Sequence, residues 1–233
     1  MSKVSLVLLA GLFGLGVQEP PEGRRADGLR AWAEARLGVE VRWSREGVAK
    51  EAEAAEGEPP AWVEDIKASG AKYVILSVPE ETMEEEPAAA LARVCRESGL
   101  RVGISLRRGE GSAARRDPGT LLGRVQALWG GCGPLDHVRF EGSSEGLGPE
   151  AIERLFAAAR AAHPGALLAD AWGKLGDLAL RAPSGRRPWE SYVPLAGNAP
   201  GAPRATRECI QALVRAAAAG GNVLLGVELG PHG

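Results

Sequence analysis

The chain has 233 residues, 45% hydrophobic and 25% charged, enough for one sizeable core but not for two comfortable domains. Its formal net charge of -2 lacks the basic bias of a nucleic-acid or anionic-membrane partner. Three cysteines without a Cys-x-x-Cys pair and three scattered histidines (His137, His163, His232) give neither a disulfide framework nor a histidine metal site, and no motif implies a cofactor.

The N-terminus opens with Lys3 and an apolar run from Val4 to Val17. One positive charge followed by such a run is the pattern of an export signal, with a small-x-small site at Gly14-Leu15-Gly16. The run is short for a spanning helix. The expected organisation is therefore a signal peptide over residues 1–18, a single domain over residues 19–233, and a secreted or periplasmic mature protein with no membrane attachment after signal removal. The competing use of the run is a buried first strand.

Beyond it, strand-like and helix-like units alternate. Residues 39–43 read as a short strand, and Pro59-Pro60 opens a helix through Trp62 and Ile66 that stops at Gly70. Residues 72–78 form a near-continuous apolar run with β-branched members, as in a parallel strand buried on both faces. A helix over 87–98, a strand over 100–106, a helix over 118–129, a strand over 136–140, a helix over 149–162 and a strand over 166–169 follow. Residues 173–203 read as irregular, and a helix over 205–219 leads to a last strand over 222–227. Strand and helix in alternation without hairpin signals imply a parallel sheet. No glycine-rich dinucleotide or phosphate loop follows the first strands, which disfavours an open nucleotide-binding sheet. The expected fold is an α/β protein of the (β/α)8 TIM-barrel type, with fewer than eight strands marked in the sequence.

In such a fold the chemistry sits at the carboxyl ends of the strands. Those ends carry Arg42-Trp43, Glu80-Glu81, Arg107-Arg108, Glu141, Asp170 with Trp172, and Glu228. Carboxylates and tryptophans around one mouth are what glycoside hydrolysis requires: one carboxyl protonates the leaving oxygen, and another attacks the anomeric carbon or activates water. The same residues also suit ordinary solvated loops. The acids 84–86 suit a helix start favoured by the dipole, and the tryptophans suit half-buried packing.

The block from Ala61 to Leu76 resembles the helix-plus-strand unit of glycoside hydrolase family 29, the α-L-fucosidases. Residues 95–104 are similar to that family's next unit. Gln126, Gly133-Pro134-Leu135-Asp136 and Phe140-Glu141-Gly142 resemble its nucleophile strand, Gln…Gly-Pro-x-Asp…Phe-Asp-Gly. His163-Pro164, Gly176-Asp177, Arg187-Pro188-Trp189-Glu190 and Gly220-Gly221-Asn222 follow in the family's order, so the likeness runs from about Arg30 onward.

The departures fall on the chemistry. The family's His-Trp-Gly is Arg42-Trp43-Ser44 here, and its His-His-Asp-Gly is Glu80-Glu81-Thr82-Met83. Its nucleophilic Asp is Glu141, and its general-acid Glu has no match over 178–185. The resemblance implies a fucosidase-like barrel with catalysis lost. Glu141 stands at the nucleophile position. Arg42, Trp43, Glu80, Glu81, Asp170 and Trp172 are the expected substrate-binding residues, and a carbohydrate of the fucosylated-glycan class is the expected partner. The alternative is an active, divergent glycoside hydrolase using Glu141, with Glu80, Glu81, Asp170 or Glu228 as acid.

Overall fold

The computed structural model describes residues 22–35, 37–43, 59–83, 85–109, 118–172, 175–179, 188–195 and 206–229. The apolar N-terminal run expected to be an export signal lies outside them. The strands are β1 (Leu37–Trp43), β2 (Tyr73–Pro79), β3 (Arg101–Arg108), β4 (His137–Gly142), β5 (Leu167–Asp170), β6 (Leu178–Ala179), β7 (Glu190–Pro194) and β8 (Asn222–Leu229). They form one sheet in the order β6-β5-β4-β3-β2-β1-β8-β7. Every pairing is parallel. A parallel bridge from Ala179 to Trp189 joins the two edge strands, and the Ala179 N–H donates to the Pro188 carbonyl at 2.9 Å. The sheet thus curls into an eight-stranded barrel.

Helix α1 (Glu22–Ala35) precedes β1. Helices α2 (Ala61–Ala68), α3 (Glu85–Glu97), α4 (Pro118–Cys132), α5 (Pro149–Ala162) and α6 (Thr206–Ala218) follow β1, β2, β3, β4 and β7. The α5 start is typical of its class: Pro149 takes the first helical position, where its missing N–H costs nothing.

The period-two alternation of each strand divides the residues between two cores. Val74, Leu76, Ile104, Leu106, Val138, Phe140 and Leu168 face outward and pack against Leu91, Leu128, Trp129, Leu155 and other helix residues. Tyr73, Ile75, Leu167, Ala169, Leu178 and Leu224 face the lumen. Trp32 and Ala35 of α1 pack against this inner set, and the Asn222 side-chain amide donates to the Trp32 carbonyl at 2.6 Å. These inner residues begin their strands, so α1 closes the amino end of the barrel.

Two expectations need correction. The segment 173–203 is not wholly irregular, because it contains β6 and β7. β6 has two residues, too few for a pattern. In β7 the lumen residues are Glu190 and Tyr192, so no apolar run marks the strand. Helix α1 was also missed, since EGRRADGLRAWAEA has a weak apolar stripe with Gly28 in its middle. Gly28 is there for approach: a Cβ on it would stand 2.9 Å from the Gly165 carbonyl oxygen.

Candidate active site

Residues paired across parallel strands share a face. The registers Arg42↔Ser77↔Ser105↔Arg139 and Glu40↔Ile75↔Gly103↔His137 therefore define two successive levels of the lumen. Alternation in β1 (Val39-Glu40-Val41-Arg42) and β4 (Val138-Arg139-Phe140-Glu141) sends every second, charged residue inward.

Inside the barrel these residues form a continuous chain. Arg42 Nε donates to Glu40 Oε1 at 2.8 Å, and its Nη2 donates to Glu141 Oε2 at 3.0 Å. The other Glu141 oxygen, Oε1, takes Arg139 Nε at 2.8 Å and Nη2 at 2.5 Å. Arg139 Nη1 pairs with Glu190 Oε1, and the Tyr73 hydroxyl donates to Glu190 Oε2. Arg42 also lies over the Tyr192 ring, 4.3 Å from its centroid. A Cβ on Gly226 would stand 2.0 Å from the Tyr192 hydroxyl, so a glycine there makes room for the phenol.

Three carboxylates against two guanidinium groups leave one negative charge in excess, in a lumen where desolvation is costly. The excess falls on Glu40. Burial raises its pKa and the Glu141 charge raises it further, against the pull of Arg139 and Arg42. Glu40 Oε2 has no hydrogen-bond partner among the described residues. Burial works against the Arg139 charge, but Glu141, Glu190 and Glu40 together outweigh it and hold its pKa above the ordinary value. Burial, then Glu190, raises Tyr73 well above its usual range. Burial pushes Tyr192 up to about 12.

The seven residues expected from strand ends divide by face. Arg42 and Glu141 meet in the lumen. Glu80 does not join them: it is buried on the helix-covered side, where Arg108 Nε donates to its Oε2 at 2.9 Å. Arg108 Nη1 continues to the Ser143 carbonyl at 3.0 Å, tying β3 to the turn after β4. Glu81 is exposed. Asp170 follows Leu168 on the outer face of β5 and accepts from the Gly176 N–H at 2.7 Å. Trp172 packs on Phe140 with centroids 5.1 Å apart and donates to the Gly142 carbonyl at 3.1 Å. Asp170 and Trp172 line a cavity of about 240 Å³ with Ile152 and Phe156 of α5. Trp43 pairs through its backbone with Leu229, and its side chain lies outside the described residues.

Glu40, Arg139, Glu190, Tyr73 and Tyr192 lie within or at the start of their strands, away from the carboxyl ends. The alternation of charged and apolar residues within β1 and β4 was the available signal for Glu40 and Arg139. Among the described residues no group of three or more His, Cys, Asp or Glu is placed to hold a metal ion. Among them, too, no helix is long and apolar enough to cross a membrane.

Solved α-L-fucosidases share this fold. A variant of the α-L-fucosidase AlfC in complex with 4-nitrophenyl α-L-fucopyranoside superposes with a TM-score of 0.68 at 12% identity, covering 88% of this chain and 92% of that one. A fucosyltransferase variant of AlfC gives 0.65 at 12% identity over the same shares. The Thermotoga maritima α-fucosidase in complex with fucose gives 0.61 at 16% identity, over 86% of this chain and 68% of that one. No family model matches the sequence, and none of the curated proteins compared does. At these identities the likeness establishes a fucosidase-like (β/α)8 barrel.

Proposed function

We propose that this chain is an exported, carbohydrate-binding barrel of the fucosidase fold that has lost α-L-fucosidase catalysis. The observation that carries the reading is the state of Glu141, both of whose oxygens accept hydrogen bonds from guanidinium groups. A glycosidase nucleophile must present a lone pair to the anomeric carbon. Here Oε1 is held by Arg139 and Oε2 by Arg42, and turning the carboxylate toward a sugar would break these charge-assisted bonds. The extra methylene of Glu over Asp also displaces the carboxylate by roughly 1.5 Å, and a misplacement of ~1 Å can cost on the order of 10²-fold.

Sugar binding rests on the mouth. Arg42 and Tyr192 offer donors and an aromatic face, Trp43 ends the same strand, and Asp170, Trp172 and the cavity beside them supply a second contact area. Glu80 is engaged with Arg108 and Glu81 stands at the exposed edge, so their part is peripheral. The class of ligand is a neutral glycan, with fucosylated glycans first because the superposable enzymes hold fucose or a fucoside.

A second reading, an active divergent glycoside hydrolase, is favoured by one feature. Arg42 joins Glu40, whose pKa burial raises, to Glu141, and two neighbouring carboxyls are the minimum that acid/base cleavage of a glycoside needs. Complete burial of Glu40 argues against it. A glycan array with purified mature protein, run beside a panel of aryl glycosides, separates the two. The expected result is binding of fucosylated glycans, weakened in Arg42→Ala, with no turnover. Turnover of any aryl glycoside, or an array without a single bound glycan, contradicts the proposal.

A further inference from the structure

At the amino end of the barrel, opposite the mouth, α1 leaves a cavity beneath it. This cavity, of about 370 Å³, lies between α1 and the starts of β2, β3, β4 and β5. Trp32, Ala31, Val102 and Leu167 form apolar walls, with Tyr73 and His137 deeper in. Asp27, Arg101 and Asp136 stand at its exposed rim. The size falls within the range of pockets that enclose small organic ligands, roughly 300–1,000 Å³.

Most polar groups here are already committed. The Tyr73 hydroxyl donates to Glu190, the Trp32 indole N–H lies 3.5 Å from the same carboxylate, and Asp136 Oδ2 accepts the Val102 N–H at 3.1 Å. His137 differs: it is 3% exposed, and its Nε2 has no hydrogen-bond partner among the described residues. Its ring tilts against Tyr73 with centroids 6.2 Å apart. A buried, unsatisfied imidazole nitrogen costs free energy that a ligand hydroxyl would recover.

We propose that this cavity binds a small, uncharged hydroxylated aromatic molecule, its ring between Trp32 and Leu167 and its hydroxyl on His137. The walls call for a flat apolar body, and the single unsatisfied nitrogen calls for one hydroxyl. Charge is disfavoured from both sides. Burial lowers the His137 pKa to about 4, so the imidazole is neutral at pH 7 and holds no anion, while at the rim Asp27 and Asp136 outnumber Arg101. A cation would lose its hydration against Trp32 and Leu167, and the nearby Glu190 is already paired with Arg139. A neutral imidazole carries one N–H and one lone pair, so it serves a phenol in either direction.

The test is saturation-transfer NMR and titration of the full chain with 2-naphthol and, as its hydroxyl-free counterpart, 2-methylnaphthalene. Ala31→Trp fills the cavity from α1, and His137→Phe keeps a ring while removing the nitrogen. Thermal melts of both variants verify folding. The expected result is that 2-naphthol binds wild type, loses about tenfold in affinity in His137→Phe, and is not bound by Ala31→Trp, while 2-methylnaphthalene is indifferent to His137→Phe. Absence of 2-naphthol binding by the folded wild type overturns the proposal. So does 2-naphthol binding that is unchanged in a folded Ala31→Trp, or in a folded His137→Phe.

Discussion

Glu40 concentrates the electrostatic cost of the barrel. Its raised pKa means that the folded state binds a proton which the unfolded chain, with an ordinary value near 4.5, releases earlier. The stability tied to that proton is fully present below the unfolded value and is lost as pH rises through the folded one. Replacement by glutamine keeps the shape and removes the titration. Urea unfolding of wild type and Glu40→Gln across pH 4 to 8 should show the variant gaining relative stability with rising pH, and a difference independent of pH would contradict this. His137 works in the opposite sense: with a pKa lowered to about 4 by burial, it stabilises the fold above its unfolded value and that contribution is lost as pH falls toward 4. Comparing the variant with wild type cancels the His137 term. Glu141 is a different case, since arginines hold both of its oxygens. Glu141→Gln weakens the charge-assisted bonds to Arg42 and Arg139 while Glu40 and Glu190 still balance those arginines, and a loss of about 1.5–3 kcal/mol is expected. Equal stability of this variant in the same denaturation series would mean that the ion pairs contribute little.

At the level of elements, the turn after β4 sets where Glu141 stands. Gly142 has φ 80°, and a Cβ on it would come within 1.9 Å of the Arg108 carbonyl oxygen. Gly99 has φ 85°, with nothing within 4 Å of the corresponding position. Alanine at Gly99 should cost only the left-handed backbone penalty of about 1–2 kcal/mol. Alanine at Gly142 should cost more, because β3 must also move, and melting temperatures of the two variants check the order. Strands were legible in the sequence where apolar residues recur: β2 as the run Val74-Ile75-Leu76 and β3 as the alternation Val102, Ile104, Leu106. β7 was not, because a strand whose lumen face carries Glu190 and Tyr192 resembles a loop. The same property hid part of the site. Strand ends pointed to Arg42 and Glu141, but the facing of Glu80 and Asp170 depends on parity within the strand, and both lie on the outer side. The aromatic and acidic partners Tyr73 and Glu190 come from β2 and β7, 117 positions apart, a separation that local patterns do not bridge.

For the whole molecule, the amino end of the barrel is closed by α1 and the carboxyl mouth is where carbohydrate is proposed to bind. Export rests on Lys3 and the apolar run that follows it, before α1 begins. Expression in a bacterial host followed by mass spectrometry should show loss of the residues up to about position 16 to 18, with the protein recovered outside the cytoplasm. An intact Met1 on cytoplasmic material would contradict this. The barrel likeness to α-L-fucosidases bears on architecture, whereas the arginine–carboxylate chain in the lumen bears on the proposed loss of activity. These two facts are compatible, because a (β/α)8 scaffold keeps its outer core whatever the lumen carries. The most direct measurement of the central claim is turnover of 4-nitrophenyl α-L-fucopyranoside by the folded wild-type protein, beside Glu141→Gln. Release of nitrophenol at the background rate in both is the expected result; turnover at ordinary enzyme rates, abolished in Glu141→Gln, would establish Glu141 as the catalytic carboxylate and contradict the account.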